Sequence, residues 1–157
     1  MRTWLEFEEL EPDLAQAGRA LLYQFGVGLG FLATTRADGA PRLHPMCPIL
    51  AAGGVYAFIV PSPKQRDLAR DGRYAIHSFP SDANEDAFYL SGRARGVDDP
   101  DLRAHLSEQF VRERHSIGVE PPPDHDRVFE FLLDTAFHTV TTGHGDPSPE
   151  HRIWRET

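Results

Sequence analysis

The 157-residue chain has one cysteine, Cys47, and one lysine, Lys64; its other 15 basic residues are arginines. A single cysteine excludes an internal disulfide framework and a cysteine-based zinc cluster. Positive charge is also short overall. Sixteen Lys+Arg face 24 Asp+Glu, a net charge of −8, which argues against a nucleic-acid partner because such domains carry a basic surface. The same balance argues against attraction to anionic membranes. No apolar run approaches membrane-spanning length, and no apolar leader follows Met1-Arg2-Thr3-Trp4, so a cytoplasmic location is expected. Motifs of nucleophilic and metal catalysis are missing as well, with no GxSxG, HExxH or CxxC. Eight histidines are scattered without an i, i+4 pair, so no metal site is expected.

What the chain does contain fits one compact domain over residues 1–157, since 40% of its residues are hydrophobic. Glu11-Pro12-Asp13 opens a helix predicted through Phe25, with Leu14, Gly18, Leu21, Leu22 and Phe25 on one face. Gly26-Val27-Gly28-Leu29-Gly30 stops it; the segment after these glycines reads as strand, so they do not form a nucleotide loop. Strands are predicted over 30–36 and 41–50, joined by the hairpin signal Asp38-Gly39. Pro45 and Pro48 cannot donate to a ladder, so the second strand should be bulged or at an edge. Further strands fall at 55–60, 74–79 and 86–97, with Gly92 marking a bulge or a close approach. Asp99-Pro100 caps a second long helix with Leu102, Leu106, Phe110 and Val111 as its stripe. Two last strands are predicted near 128–133 and 137–142, and the tail from Gly143 shows no periodicity. These elements do not alternate as βαβ. They predict a mainly β (α+β) fold, a six-stranded antiparallel barrel with two to three flanking helices, with a sandwich as the alternative.

The lone lysine sits in a telling place. Ser62 is a good N-cap, Pro63 suits the first helical position and Gly72 ends the segment. A hydroxyl, free backbone N–H groups and an ammonium then meet at one helix N-terminus, a natural phosphate site. A capped surface helix with a solvated lysine is the plainer reading of the same residues.

The order Gly30-Phe31-Leu32-Ala33-Thr34, Asp38-Gly39, a Pro-rich second strand, an aromatic third strand, Ser62-x-Lys64 and Ser91-Gly92-Arg93-Ala94 resembles the pyridoxamine 5′-phosphate oxidase-like family of FMN-binding split barrels. The resemblance implies a homodimer with FMN at the subunit interface. It implies that Ser62, Lys64 and Arg66 hold the flavin phosphate, and that backbone around Leu32, Ala33 and Thr34 lies along the ring. Ile59 and Val60 would lie near the ribityl chain, and Trp154 or Arg155 would reach the partner's flavin. Family members of known oxidase activity end in an Arg-x-His segment that binds the vitamin B6 substrate. His151-Arg152-Ile153-Trp154-Arg155 does not reproduce it, so that activity is not expected.

The implied function is an FMN-dependent oxidoreductase acting on a small organic molecule. The alternatives are a reductase using the deazaflavin F420, and a non-catalytic flavin- or haem-binding protein. F420 has an acidic tail that wants a basic groove, and no run of arginines is visible for it. Arg36 and His44 flank the first hairpin and are candidates for substrate contact. A solvated turn-side charge and an edge-strand histidine are their plainer readings. Cys47 reads as a buried, inert thiol.

Overall fold

Thr3 takes the Glu6 N–H on its hydroxyl while the Glu6 carboxylate takes the Thr3 N–H at 2.7 Å, a capping box. It starts α1 (Trp4–Leu10), a helix absent from the expectations above, which buries Trp4 and Phe7. α2 (Pro12–Leu22) comes next with Pro12 in its first turn and buries Leu14, Ala15, Gly18 and Leu22. It ends short of Phe25, whose ring is half exposed. The computed structural model describes residues 1–157.

In β1 (Gly30–Thr35), buried Gly30, Leu32 and Thr34 alternate with half-buried Phe31, Ala33 and Thr35, the period of a strand with one covered face. Asp38-Gly39 turns the chain, Gly39 at φ +84°, into β2 (Pro41–Met46), antiparallel to β1. The strand expected over 41–50 is broken at Cys47-Pro48, where proline offers no N–H. β3 (Ile49–Ala51) therefore leaves β2 and pairs with β4 (Gly54–Ile59). α3 (Pro63–Arg70), β5 (Arg73–Ser78), β6 (Ala87–Val97) and α4 (Pro100–Glu113) come where they are expected. Asp99 caps α4 by accepting the Asp101 and Leu102 N–H groups at 3.0 and 3.1 Å.

The two closing strands expected near 128–133 and 137–142 are one strand, β7 (Arg127–Val140). Asp134-Thr135-Ala136 contains no glycine or proline to turn the chain there. The tail contributes β8 (Glu150–Arg155), paired with residues 135–140 of β7.

All eight strands are antiparallel in one sheet, ordered β2-β1-β5-β6-β7-β4-β3 with β8 beside β7. β7 divides its free edge, giving its first residues to β4 and its last to β8. The register between β6 and β7 shifts at Ser91/Gly92. A Cβ on Gly92 would lie 2.0 Å from the Leu132 carbonyl oxygen, so the bulge expected there is also a close approach. With eight strands and four helices the mainly β, α+β architecture is richer than the six strands and two to three helices expected. β2 and β3, the two ends of the sheet, are not paired with each other, and the barrel stays open along β2. A core of 20 buried residues, including Trp4, Phe7, Leu32, Phe88, Phe129 and Phe131, fills the inside. No helix is long and apolar enough to cross a membrane.

Candidate functional site

Two clefts border the open edge of the sheet, and the N-terminus of α3 lies between them. Ser62 takes the Gln65 N–H on Oγ at 3.4 Å and donates to the Val60 carbonyl at 2.8 Å. The Arg66 N–H goes to the Ser62 carbonyl at 3.2 Å. Pro63 has no N–H, and the chain itself does not use that of Lys64. With the Ser62 hydroxyl proton given to Val60, one free backbone donor and the half-buried lysine remain at the positive end of the helix.

The first cleft, of about 480 Å³, is lined by Arg36, Arg42, Arg66 and Arg70 with Asp38 and Asp67. These arginines come from the first hairpin, β2 and α3, so no run of sequence announces them. Asp67, 5% exposed, forms its floor and accepts from Arg42 at 2.8 Å, Arg70 at 3.2 Å and Thr34 Oγ1 at 3.1 Å. Burial pushes its pKa up, but the hydrogen bonds from Arg42, Arg70 and Thr34 outweigh this and hold it below the usual carboxylate value. Arg70 also bonds the Thr35 carbonyl. Arg36 is paired with Asp38 at 2.8 Å. Arg66 alone of the four has no carboxylate partner. The cleft therefore keeps an excess of positive charge and one free guanidinium.

The second cleft, of about 430 Å³, is apolar and holds Lys64. Pro45, Met46 and Cys47 form one side, Phe58 and Val60 the base, and Phe110 with the Pro121–Pro123 segment the other. Phe58 and Phe110 meet edge to face at 6.0 Å. Arg103 stacks on Phe58 at 5.1 Å and donates to the Pro123 and Asp126 carbonyls at 2.8 and 2.7 Å, which clamps the proline segment in place. Apart from Lys64, its charged groups are Glu120 and Asp126. A cavity of this size with apolar walls and few polar groups suits a planar organic ligand.

Of the residues read from the sequence, Val60 and Lys64 line the apolar cleft, Arg36 and Arg66 the arginine cleft, and Ser62 caps the helix between them. His44 is half buried at the centre of β2, on the same face as Arg42 and Met46, and lines neither cleft. Leu32 is fully buried in the core and Thr34 is committed to Asp67. Ala33 and Thr34 border a smaller hollow of about 220 Å³ near Arg73. Ile59 is buried and its carbonyl accepts from Gln65 Nε2 at 2.7 Å. Trp154 packs on Phe7 of its own chain at 5.0 Å, whereas Arg155 is exposed on β8. Cys47 is only half buried, on the cleft wall, rather than enclosed. Sequence reasoning missed Arg42, Arg70, Asp126 and the proline segment as site components. Only Arg42, at the start of a strand recognised as unusual, carried any signal.

This open antiparallel sheet, with its capped helix after β4, has the split-barrel fold of the pyridoxamine 5′-phosphate oxidase-like proteins. No protein-family model matches the chain, and no curated protein sequence does so significantly. Solved structures do. A haem-binding protein from Mycobacterium smegmatis superposes with a TM-score of 0.64 at 18% identity over 87% of this chain. The chain spans only 57% of that protein's length. General stress protein 26 from Bacillus anthracis matches at TM-score 0.60 and 18% identity, over 78% of this chain and 91% of that one. A Clostridium acetobutylicum protein related to general stress protein 26, described as of the pyridoxinephosphate oxidase family, matches at 0.61 and 12% identity over 96% and 94%. At these identities the likeness is one of fold.

Proposed function

We propose that the protein is a cytoplasmic FMN-dependent oxidoreductase that works as a homodimer on a small organic substrate. The observation that carries this reading is the placing of the α3 N-terminus between an arginine-lined cleft and an apolar one. A flavin mononucleotide has the same two parts, a dianionic phosphate and a planar ring. The unused Lys64 N–H, the Lys64 ammonium and the free Arg66 guanidinium are suited to the phosphate, and Ser62 could join them by turning its hydroxyl from the Val60 carbonyl. Phe58, Val60, Met46 and Phe110 are suited to the ring and exclude water from it. FMN, when bound, supplies the hydride transfer, so the protein needs no nucleophile of its own. The chain's part is to orient the ring, hold the phosphate by charge and keep the ring face dry.

A reductase using F420 is the second reading, favoured by the four arginines that the fold gathers. An anionic tail longer than a single phosphate would find its counter-charges there. Haem is the third candidate, suggested by the haem-binding neighbour. No histidine lines either cleft, which leaves Met46, Cys47 or Lys64 as the side chains there that could ligate its iron.

The test is a comparison of FMN with riboflavin, which lacks the phosphate, by quenching of flavin fluorescence. FMN is expected to bind about tenfold or more tightly, the worth of charge-assisted hydrogen bonds to phosphate. Equal affinity would show that this helix N-terminus does not bind the phosphate.

A further inference from the structure

Pro63, Arg66, Asp67 and Arg70 follow the i, i+3, i+4, i+7 spacing of one helical stripe, and all four line the arginine cleft. Lys64 lies off this stripe and lines the apolar cleft instead. α3 thus divides its cations between two clefts. Asp67 is buried in the floor of the first and fixes Arg42 through Nε and Arg70 through Nη1. The two terminal amino groups of Arg42 make no hydrogen bond within the chain, and the Arg66 guanidinium makes none at all. These donors are oriented and unused.

Four guanidiniums face two carboxylates in this cleft, an excess of two positive charges on a chain whose net charge is −8. A local excess of this kind concentrates anions. Each guanidinium fork grips two oxygens of one oxyanion. Here the first hairpin, β2 and α3 supply the forks around a cleft of about 480 Å³, with more donors and more room than a single phosphate uses. We infer that the arginine cleft is a diphosphate site of its own, separate from whatever cofactor fills the apolar cleft. Arg42 and Arg70 come already oriented by Asp67, so binding has little side-chain freedom left to remove. Arg66 and the exposed Arg36 complete the set. The ligand is free diphosphate or the diphosphate of a nucleotide, which present the same oxygens to the arginines. The site needs no flavin beside it, since its residues are all in place without one.

The test is calorimetric titration of the full-length protein with inorganic pyrophosphate, inorganic phosphate and ADP, alone and after loading with FMN or F420. The wild type is expected to bind pyrophosphate about tenfold or more tightly than phosphate, the effect of further charge-assisted hydrogen bonds. Binding should persist in the loaded protein. Arg42→Gln and Arg70→Gln should each weaken it about tenfold or more. Arg36→Gln, at an exposed turn where folding does not depend on the side chain, should weaken it with an unchanged melting temperature. ADP binding more tightly than pyrophosphate would identify a nucleotide as the source and equal binding free diphosphate; either result keeps the site. No preference for pyrophosphate over phosphate would overturn the assignment. So would its displacement by FMN or F420, which would make the cleft part of the cofactor site. Failure of FMN to bind, with pyrophosphate still held through Arg42, would remove the flavin reading alone.

Discussion

Lys64 shows how much a single residue can carry in a sequence. Its rarity, its Ser-Pro context and the strand before it locate a helix N-terminus, and the fold puts an unused N–H and an apolar cleft beside it. Replacing Lys64 by Ala is expected to weaken FMN binding about tenfold or more, by loss of a charge-assisted hydrogen bond of roughly 1.5–3 kcal/mol. Fluorescence titration checks this, and unchanged affinity would move the phosphate elsewhere. Asp67 is not legible in the same way, because its partners Arg42 and Thr34 are distant in sequence and meet it only through the fold. Its pKa is lowered in the folded protein, so the unfolded chain takes up a proton first as pH falls. The stability it contributes is full above its ordinary value near pH 4 and is lost as pH drops through the lowered value. Melting temperatures measured from pH 6 to pH 2 should therefore fall less steeply with acid in Asp67→Asn than in the wild type. The variant should also be less stable at pH 6, because Arg42 and Arg70 lose their shared partner. Parallel curves would show that Asp67 does not drive the acid transition.

At the scale of elements, local rules succeeded where one residue's chemistry decides the structure. Asp38-Gly39 turned a hairpin, Asp99 capped a helix, and Gly92 marked a real bulge. A Cβ at position 92 would collide with the Leu132 carbonyl. Gly92→Ala is therefore expected to destabilise the protein by about 1–3 kcal/mol through forced backbone shifts, measured by urea unfolding. A change within about 0.5 kcal/mol would mean the strands part there without strain. Expectations failed where pairing between distant segments decides. β8 has no apolar alternation of its own; it is a strand because residues 135–140 of β7 offer it an open edge. The length of β7 likewise reflects β6 running beside it, a support invisible in its own residues. α1 was legible and overlooked, since Thr3-x-x-Glu6 before Phe7 is a capping box in plain sequence.

For the whole molecule, the outer face of the sheet is the feature that the core leaves unexplained. Leu43 is 64% exposed and Ile153 50%. Between them, in one cross-strand row, Phe31, Tyr89 and Phe137 are half buried, with exposed His77 between Phe31 and Tyr89 and Phe31 stacked on Phe79 at 4.5 Å. An apolar band of this kind, broken only by His77, marks an interaction surface, and we propose a second copy of the chain as its partner. Light scattering at micromolar concentration should give twice the chain mass for the wild type and a shift towards the single-chain mass for Leu43→Glu. If the flavin lies between subunits, that variant should also lose FMN affinity; a wild-type monomer with full affinity would contradict the interface. The central claim, that the open edge of this barrel is a flavin site, has a more direct test. Purified protein is titrated separately with FMN, F420 and haem, following flavin or deazaflavin fluorescence and the haem absorption band. FMN is expected to bind tightly and haem little or not at all. Preferential haem binding, or no binding of any of the three, would contradict it.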